Sequence, residues 1–185
     1  MVAQPLDARR LVFVDEMGTN ISLSSLYAWA SKGERAHCSV PRNRGPNTTV
    51  LSSMSLEGIG STLAVEGATT TSAVFEAYVE QVLGPTLCSG QVVVMDNLNA
   101  HKAERIKELI EERGCELIYL PPYSPDFNPI EEAFSKIKTL LRKVDARTRE
   151  ALVEAIGAAI SAVTASDARG FFDHCGYSIP VQPLW

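Results

Sequence analysis

Two short apolar runs in this chain each close on an acid. Leu11-Val12-Phe13-Val14 is followed by Asp15, and Val92-Val93-Val94-Met95 by Asp96. Apolar runs this short, rich in β-branched residues and bounded by turn chemistry such as Gly18 and Asn20, read as buried strands. If the two strands are parallel neighbours, both aspartates lie at carboxyl ends on the same sheet edge. Open α/β sheets bind their ligands at that edge.

The rest of the pattern supplies the other elements of such a sheet. Residues 36–40, 48–55 and 61–65, rich in Val, Thr and Ser, are predicted strands separated by Gly-Pro-Asn and Glu-Gly-Ile-Gly breaks. Over 72–83 the period becomes helical: Val74, Phe75, Tyr78, Val79, Val82 and Leu83 share a face, and Ser72 is the expected N-cap. A helix over 102–113, with Ile106, Leu109 and Ile110 inward and Gly114 as its stop, leads to a strand over 115–120. Pro121-Pro122 breaks that strand. A helix from Pro129 to about Lys143 places Ile130, Phe134, Ile137 and Leu141 on one stripe, and a last amphipathic helix spans 149–163. Early strands joined by turns form a meander, and the later strand–helix–strand portion should run parallel. The expectation is one α/β domain over 1–185, with residues 1–10 and 178–185 as irregular tails and Trp29 packed in the core or on the sheet.

With 185 residues, 45% hydrophobic and 21% charged, the chain has the bulk of one soluble globular domain. No apolar run approaches the ~18 residues of a membrane span, and the N-terminus lacks a signal-peptide core, so the cytoplasm is expected. The four cysteines form no C-x-x-C pair. The adjacent pairs His37-Cys38 and His174-Cys175 lack the ligand spacing of zinc sites. A net charge of −5 argues against a surface that grips nucleic acid all round. The charge is uneven, however. Lys136, Lys138, Arg142, Lys143, Arg147 and Arg149 are opposed only by Asp145, and Lys32, Arg35, Arg42 and Arg44 only by Glu34. Either cluster is a solvated face or a contact for phosphate backbone.

A third acid, Glu131, lies 34 residues beyond Asp96 in Leu-Pro-Pro-Tyr-Ser-Pro-Asp-Phe-Asn-Pro-Ile-Glu. Asn128 suits an N-cap, Pro129 the first helical position, and Glu131 then falls at N3, the reciprocal position of a capping box. The same place puts a carboxylate in the positive field of a helix start, where an ionised metal ligand is favoured. Glu132 competes with it, yet its spacing to Lys136 suits a surface pair. Hard divalent cations take oxygen ligands and need few protein carboxylates. Asp15, Asp96 and Glu131 are therefore the candidate set, while strand alternation turns Glu16 to the other face. Glu131, Ser135, Lys138 and Arg142 fall along one helical face.

Val-Asp-Glu-Met-Gly-Thr-Asn (14–20), Met-Asp-Asn-Leu-Asn-Ala-His-Lys (95–102) and the long 120–134 motif resemble the catalytic domain of bacterial insertion-sequence transposases of the mariner superfamily. The spacing between the second and third acids is also that group's. The resemblance, from about residue 10 to 177, implies a ribonuclease H-like fold: a mixed five-stranded sheet flanked by helices. It implies that Asp15, Asp96 and Glu131 are the catalytic acids and hold two Mg²⁺ or Mn²⁺ ions. One ion would activate a water or a 3′-hydroxyl, and the other would stabilise the leaving oxygen. It further implies DNA cleavage and strand transfer on transposon ends and target DNA. The stripe from Glu131 through Lys138 and Arg142 is either a track for the DNA backbone or a solvated face, and His101, beside Lys102, orients Asp96, contacts phosphate or merely opens a helix. Relatives of this kind carry a helix-turn-helix segment upstream. The expectation is that a separate segment or reading frame supplies it, and that two copies pair as a homodimer.

Overall fold

The computed structural model describes residues 7–67, 71–97 and 104–177. Five strands form one sheet in the order β3-β2-β1-β4-β5: β1 Leu11–Thr19, β2 Thr48–Ser55, β3 Gly58–Glu66, β4 Val92–Met95 and β5 Glu116–Tyr119. The first three are antiparallel, and β4 and β5 run parallel to β1. This is the expected meander followed by parallel strands.

Two helical layers cover the sheet. On one face lie α1, Ser72–Tyr78, and α2, Glu104–Glu111. Val12, Val14, Val93 and Met95 pack there with Phe75, Tyr78, Ile106 and Ile110. On the other face lie α3 (Pro129–Val144), α4 (Arg149–Ser161) and α5 (Ala165–His174). Leu11, Phe13, Met17, Val92 and Val94 pack there with Ile130, Phe134, Ile137, Ile156 and Phe172. Successive strand residues thus serve opposite layers, as the pleat requires. Among the described residues, no single helix is long and apolar enough to cross a membrane.

Several expectations are corrected. Residues 36–40 form no strand. They belong to a long connection from 20 to 47, and Ala36, His37, Cys38, Ser39 and Val40 are all exposed. A run with no apolar face to bury gains nothing from joining the sheet. Trp29, expected in the core or on the sheet, is fully exposed on the same connection, as is Tyr27. The helix over 72–83 is α-helical only to Tyr78 and then widens into a π turn, Val79–Leu83, which still buries Val79 and Leu83. Its N-cap is Thr71, whose hydroxyl accepts from the Val74 N–H, instead of Ser72. Residues 8–10 form one 3-10 turn capped by Asp7, with Ala8 buried, so the N-terminal tail is not wholly irregular.

The helix α5 was not foreseen. Its sequence, Ala-Ser-Asp-Ala-Arg-Gly-Phe-Phe-Asp-His, carries only Ala168 and Phe172 as fully buried positions. The Thr164–Asp167 capping box starts it afresh after α4. Phe172 then meets Phe13 edge-on at 5.2 Å between ring centroids, closing the sheet face below the carboxylates.

Candidate active site

Strand register brings the first two acids together. The parallel ladder of β1 with β4 ends at Val14↔Met95, so Asp15 and Asp96 are the next residues on adjacent strands. Leu11 and Phe13 face the α3 layer, as do Val92 and Val94; alternation therefore turns Asp15 and Asp96 toward α3. The expectation that Asp15 ends its strand is corrected. Residues 16–19 continue β1 by pairing with β2, down to Thr19↔Thr48. Asp15 is the first residue past the parallel pairing, where β1 outlasts β4, and it is buried.

Buried carboxylates require donors, and Asp15 has two. The Glu16 N–H donates to Oδ1 at 2.7 Å, and the Asn128 side-chain amide donates to Oδ2 at 2.8 Å. Asn128 is itself buried. It occupies the N-cap position of α3, as expected, but its side chain makes no capping bond. The amide is committed to Asp15 instead. The capping-box reading of Glu131 therefore fails: the Glu131 N–H donates to the Asn128 carbonyl at 3.1 Å, while the Asn128 N–H goes to the Pro125 carbonyl at 2.9 Å. Glu131 is exposed at the third residue of α3.

All three acids line one cleft of about 450 Å³, walled by Asn128, Leu120 and the 121–125 turn. Tyr123 stands fully exposed at its rim with a left-handed backbone, φ 57°. Burial raises the Asp15 carboxyl to about 7; the Glu16 N–H opposes this, and repulsion from Glu131 and Asp96 adds to it. Among the described residues, no three carboxylates, imidazoles or thiols stand close enough to enclose an ion unaided. The site is an open cleft in which three carboxylates stand among Leu120 and the prolines of the turn, and a cation there would keep waters and take further ligands from a phosphate.

Neighbouring charges are spent differently from expectation. Glu132 pairs with His174 and not with Lys136. Lys136 reaches Asp167 at 2.6 Å, Arg149 pairs with Glu66, and Arg147 bonds carbonyls of the 20–47 connection. Three of the six basic residues from 136 to 149 are thus bound within the fold. Lys138 and Arg142 are half-buried on α3, and neither lines the cleft of the three acids. His101 and Lys102 lie outside the described residues. The residue that sequence reasoning misassigned is Asn128. A polar residue before Pro at a helix start signals a cap, and only the tertiary approach of β1 reveals its other use.

A mixed sheet in this order, helices on both faces and acids gathered where β1 and β4 part, defines a ribonuclease H-like domain. The model of the DDE superfamily endonucleases matches residues 10–153, and the chain belongs to that family. No curated protein sequence matches it. Among solved structures, the fold is similar to Mos1 transposase in a pre-cleavage transpososome, with TM-score 0.75 and 17% identity over 92% of this chain and 54% of that one. The Mos1 strand transfer complex gives 0.70 and 18%, over 91% and 52%. The Mos1 mariner paired end complex with Mn gives 0.68 and 17%, over 92% and 54%. The chain spans about half the length of these relatives.

Proposed function

We propose that this chain is the catalytic part of a mariner-type transposase, cutting DNA at element ends and joining those ends to target DNA. The observation that carries the reading is the convergence of Asp15, Asp96 and Glu131 on one cleft from β1, β4 and α3. Membership of an endonuclease family and the likeness to the Mos1 strand transfer complex support it.

The donor set fits Mg²⁺ or Mn²⁺. All three side chains are hard oxygen donors, and Asp15 is a buried carboxylate whose neighbours are further acids, an arrangement that a cation relieves. Two such ions, when bound, supply charge stabilisation to the attacking and leaving oxygens of an in-line phosphoryl displacement. The chain's own residues do the positioning. Asp15 is held rigid by its two donors, Asp96 follows β4 directly, and Glu131 projects from the first turn of α3 toward solvent, where a phosphate arrives. Lys138 and Arg142, farther along α3, continue the face that Glu131 begins and suit the DNA backbone.

Recognition of the element ends requires base-edge contacts. We assign these to a helix-turn-helix segment outside these 185 residues, which fits a chain spanning half its relatives' length. Two copies would pair the two ends.

The test is Mg²⁺- or Mn²⁺-dependent nicking of duplex oligonucleotides. Asp15→Asn, Asp96→Asn and Glu131→Gln should each lower the rate by at least about a hundredfold, as loss of a group acting in the transition state does. A variant that keeps the wild-type rate would remove its residue from the site. A strand-transfer assay separates joining from cutting: cleavage without joining identifies a structure-selective nuclease on the same fold. Absence of both metal binding and cleavage would leave a non-catalytic partner of a full-length transposase.

A further inference from the structure

Asn128 carries chemistry that a helix cap does not need. Its side chain makes no bond to the first turn of α3, and its amide donates to Oδ2 of Asp15 at 2.8 Å, between two buried residues 113 positions apart. The other Asp15 oxygen is taken by the Glu16 N–H at 2.7 Å. A carboxylate with one donor on each oxygen cannot rotate about its Cβ–Cγ bond without breaking both bonds. Its remaining lone pairs then keep fixed directions.

The same residue also sets the third acid. Asn128 immediately precedes Pro129, the first residue of α3, and its carbonyl accepts from the Glu131 N–H at 3.1 Å. One side of Asn128 therefore holds the β1 carboxylate and the other holds the turn bearing Glu131. An apolar residue here would leave Asp15 buried with a single donor, a costly state for an ionised group. A cap with its side chain turned to its own helix would leave β1 and α3 joined only by apolar packing, which fixes orientation less sharply than a directional bond.

We propose that Asn128 is a positioning residue for the divalent cation site: through its amide it orients the Asp15 carboxylate and ties it to the start of α3, so that Asp15 and Glu131 face one ion. This deepens the proposed two-metal reading and rests on it. Partners of this kind, behind the residues that touch a metal, change affinity by about 10- to 100-fold when lost.

The experiment reads Mn²⁺ binding by electron paramagnetic resonance on the folded chain, beside circular-dichroism melts of the cation-free protein. Asn128→Ala should raise the Mn²⁺ dissociation constant at least about tenfold while the cation-free chain keeps its native spectrum. A merely structural role would lower the melting temperature and leave the dissociation constant of the folded protein at the wild-type value, and that result would overturn the proposal. Asp15→Asn is the control. If it binds Mn²⁺ like wild type, the metal reading itself is wrong. If it loses Mn²⁺ while Asn128→Ala keeps it, only the role of Asn128 fails. A second measurement holds even if Asn128→Ala does not fold: the Asn128 side-chain amide resonances of the wild-type chain should shift on saturation with Mg²⁺. Resonances unmoved by Mg²⁺ would also overturn the assignment.

Discussion

The Arg147 guanidinium donates to the Ile21 carbonyl at 2.9 Å, across 126 residues of chain. The same side chain reaches the carbonyls of Leu23 and Ser39, and it pairs with Asp145. Arg147 sits in the turn between α3 and α4, so one planar group fastens a long connection at two points of its length. The Ser22 hydroxyl adds a bond to the Pro41 carbonyl at 3.3 Å. Five N–H donors in a rigid fork suit this task, and a lysine could not reproduce it.

Arg147→Lys should therefore loosen the 20–47 connection without unfolding the sheet. Charge-assisted hydrogen bonds contribute about 1.5–3 kcal/mol each when well shielded, and partial exposure of this group discounts that to about 1–2 kcal/mol in total. Limited proteolysis should cut within 24–40 several-fold faster than in wild type, with the melting temperature shifted by only a few degrees. Equal cleavage rates would show that other contacts hold the connection.

The buried Asp15 gives the cation-free chain an unusual pH response. Its folded-state carboxyl titrates near 7 because burial disfavours its charge, whereas in the unfolded chain it titrates near ~3.9. Between those values the unfolded state has lost a proton that the folded state retains. This contribution is complete below about pH 4 and is lost as pH rises toward 7. Urea midpoints of chelator-treated protein should carry this falling component, Asp15→Asn should lack it, and millimolar Mg²⁺ should reduce it. Identical pH profiles for Asp15→Asn and wild type would exclude a shifted Asp15.

Asp167 works in the opposite sense. The Lys136 ammonium, followed by the Thr164 hydroxyl and N–H, lowers its carboxyl to about 2. The stabilisation is present above the unfolded value near ~4 and disappears as pH falls through 2. Asp167→Asn should thus be less stable than wild type at pH 6, and the gap should narrow between pH 4 and 2. A gap independent of pH would mean that the capping geometry, and not the charge, supplies the effect.

Phe172→Ala tests the helix that sequence periodicity passed over. Phe172 is fully buried against Phe13, two residues before Asp15 on the same strand. Truncating a buried phenylalanine costs about 3–5 kcal/mol, so the denaturation midpoint should fall sharply. A loss below about 1 kcal/mol would show that α5 is a loosely docked appendage.

How far the sequence carried the structure depended on which residues had to report their own surroundings. Apolar runs ending at Asp15 and Asp96 announced buried parallel strands because both faces of those strands are covered, and the shared register followed. The stripe Ile130-Phe134-Ile137-Leu141 announced α3 with its correct start. α5 was hidden because a helix that buries chiefly Ala168 and Phe172 leaves little periodic signal. The exposure of Trp29 was hidden for a different reason: an aromatic side chain is ordinarily read as core, and nothing local distinguishes one held out on a long connection. Asn128 shows the limit most clearly. Its local grammar spells a helix cap, and its actual bond is to a residue 113 positions away.

The topology also explains what the interval between Asp96 and Glu131 measures. Starting from the end of β4, the chain must run back along α2, return through β5 and turn at Pro121-Pro122 before α3 can begin on the same edge. The interval is the contour length of one complete excursion to the far side of the sheet. Residues inserted at Gly114, where α2 gives way to β5 at the far edge, would lengthen that interval while both carboxylates stayed where they are. Residues inserted between Leu120 and Asn128 would leave the fold recognisable and pull α3 out of step with β1. The count along the chain is thus a consequence of where the sheet begins and ends its return path, and the near-edge turn is the part of it that the site cannot spare.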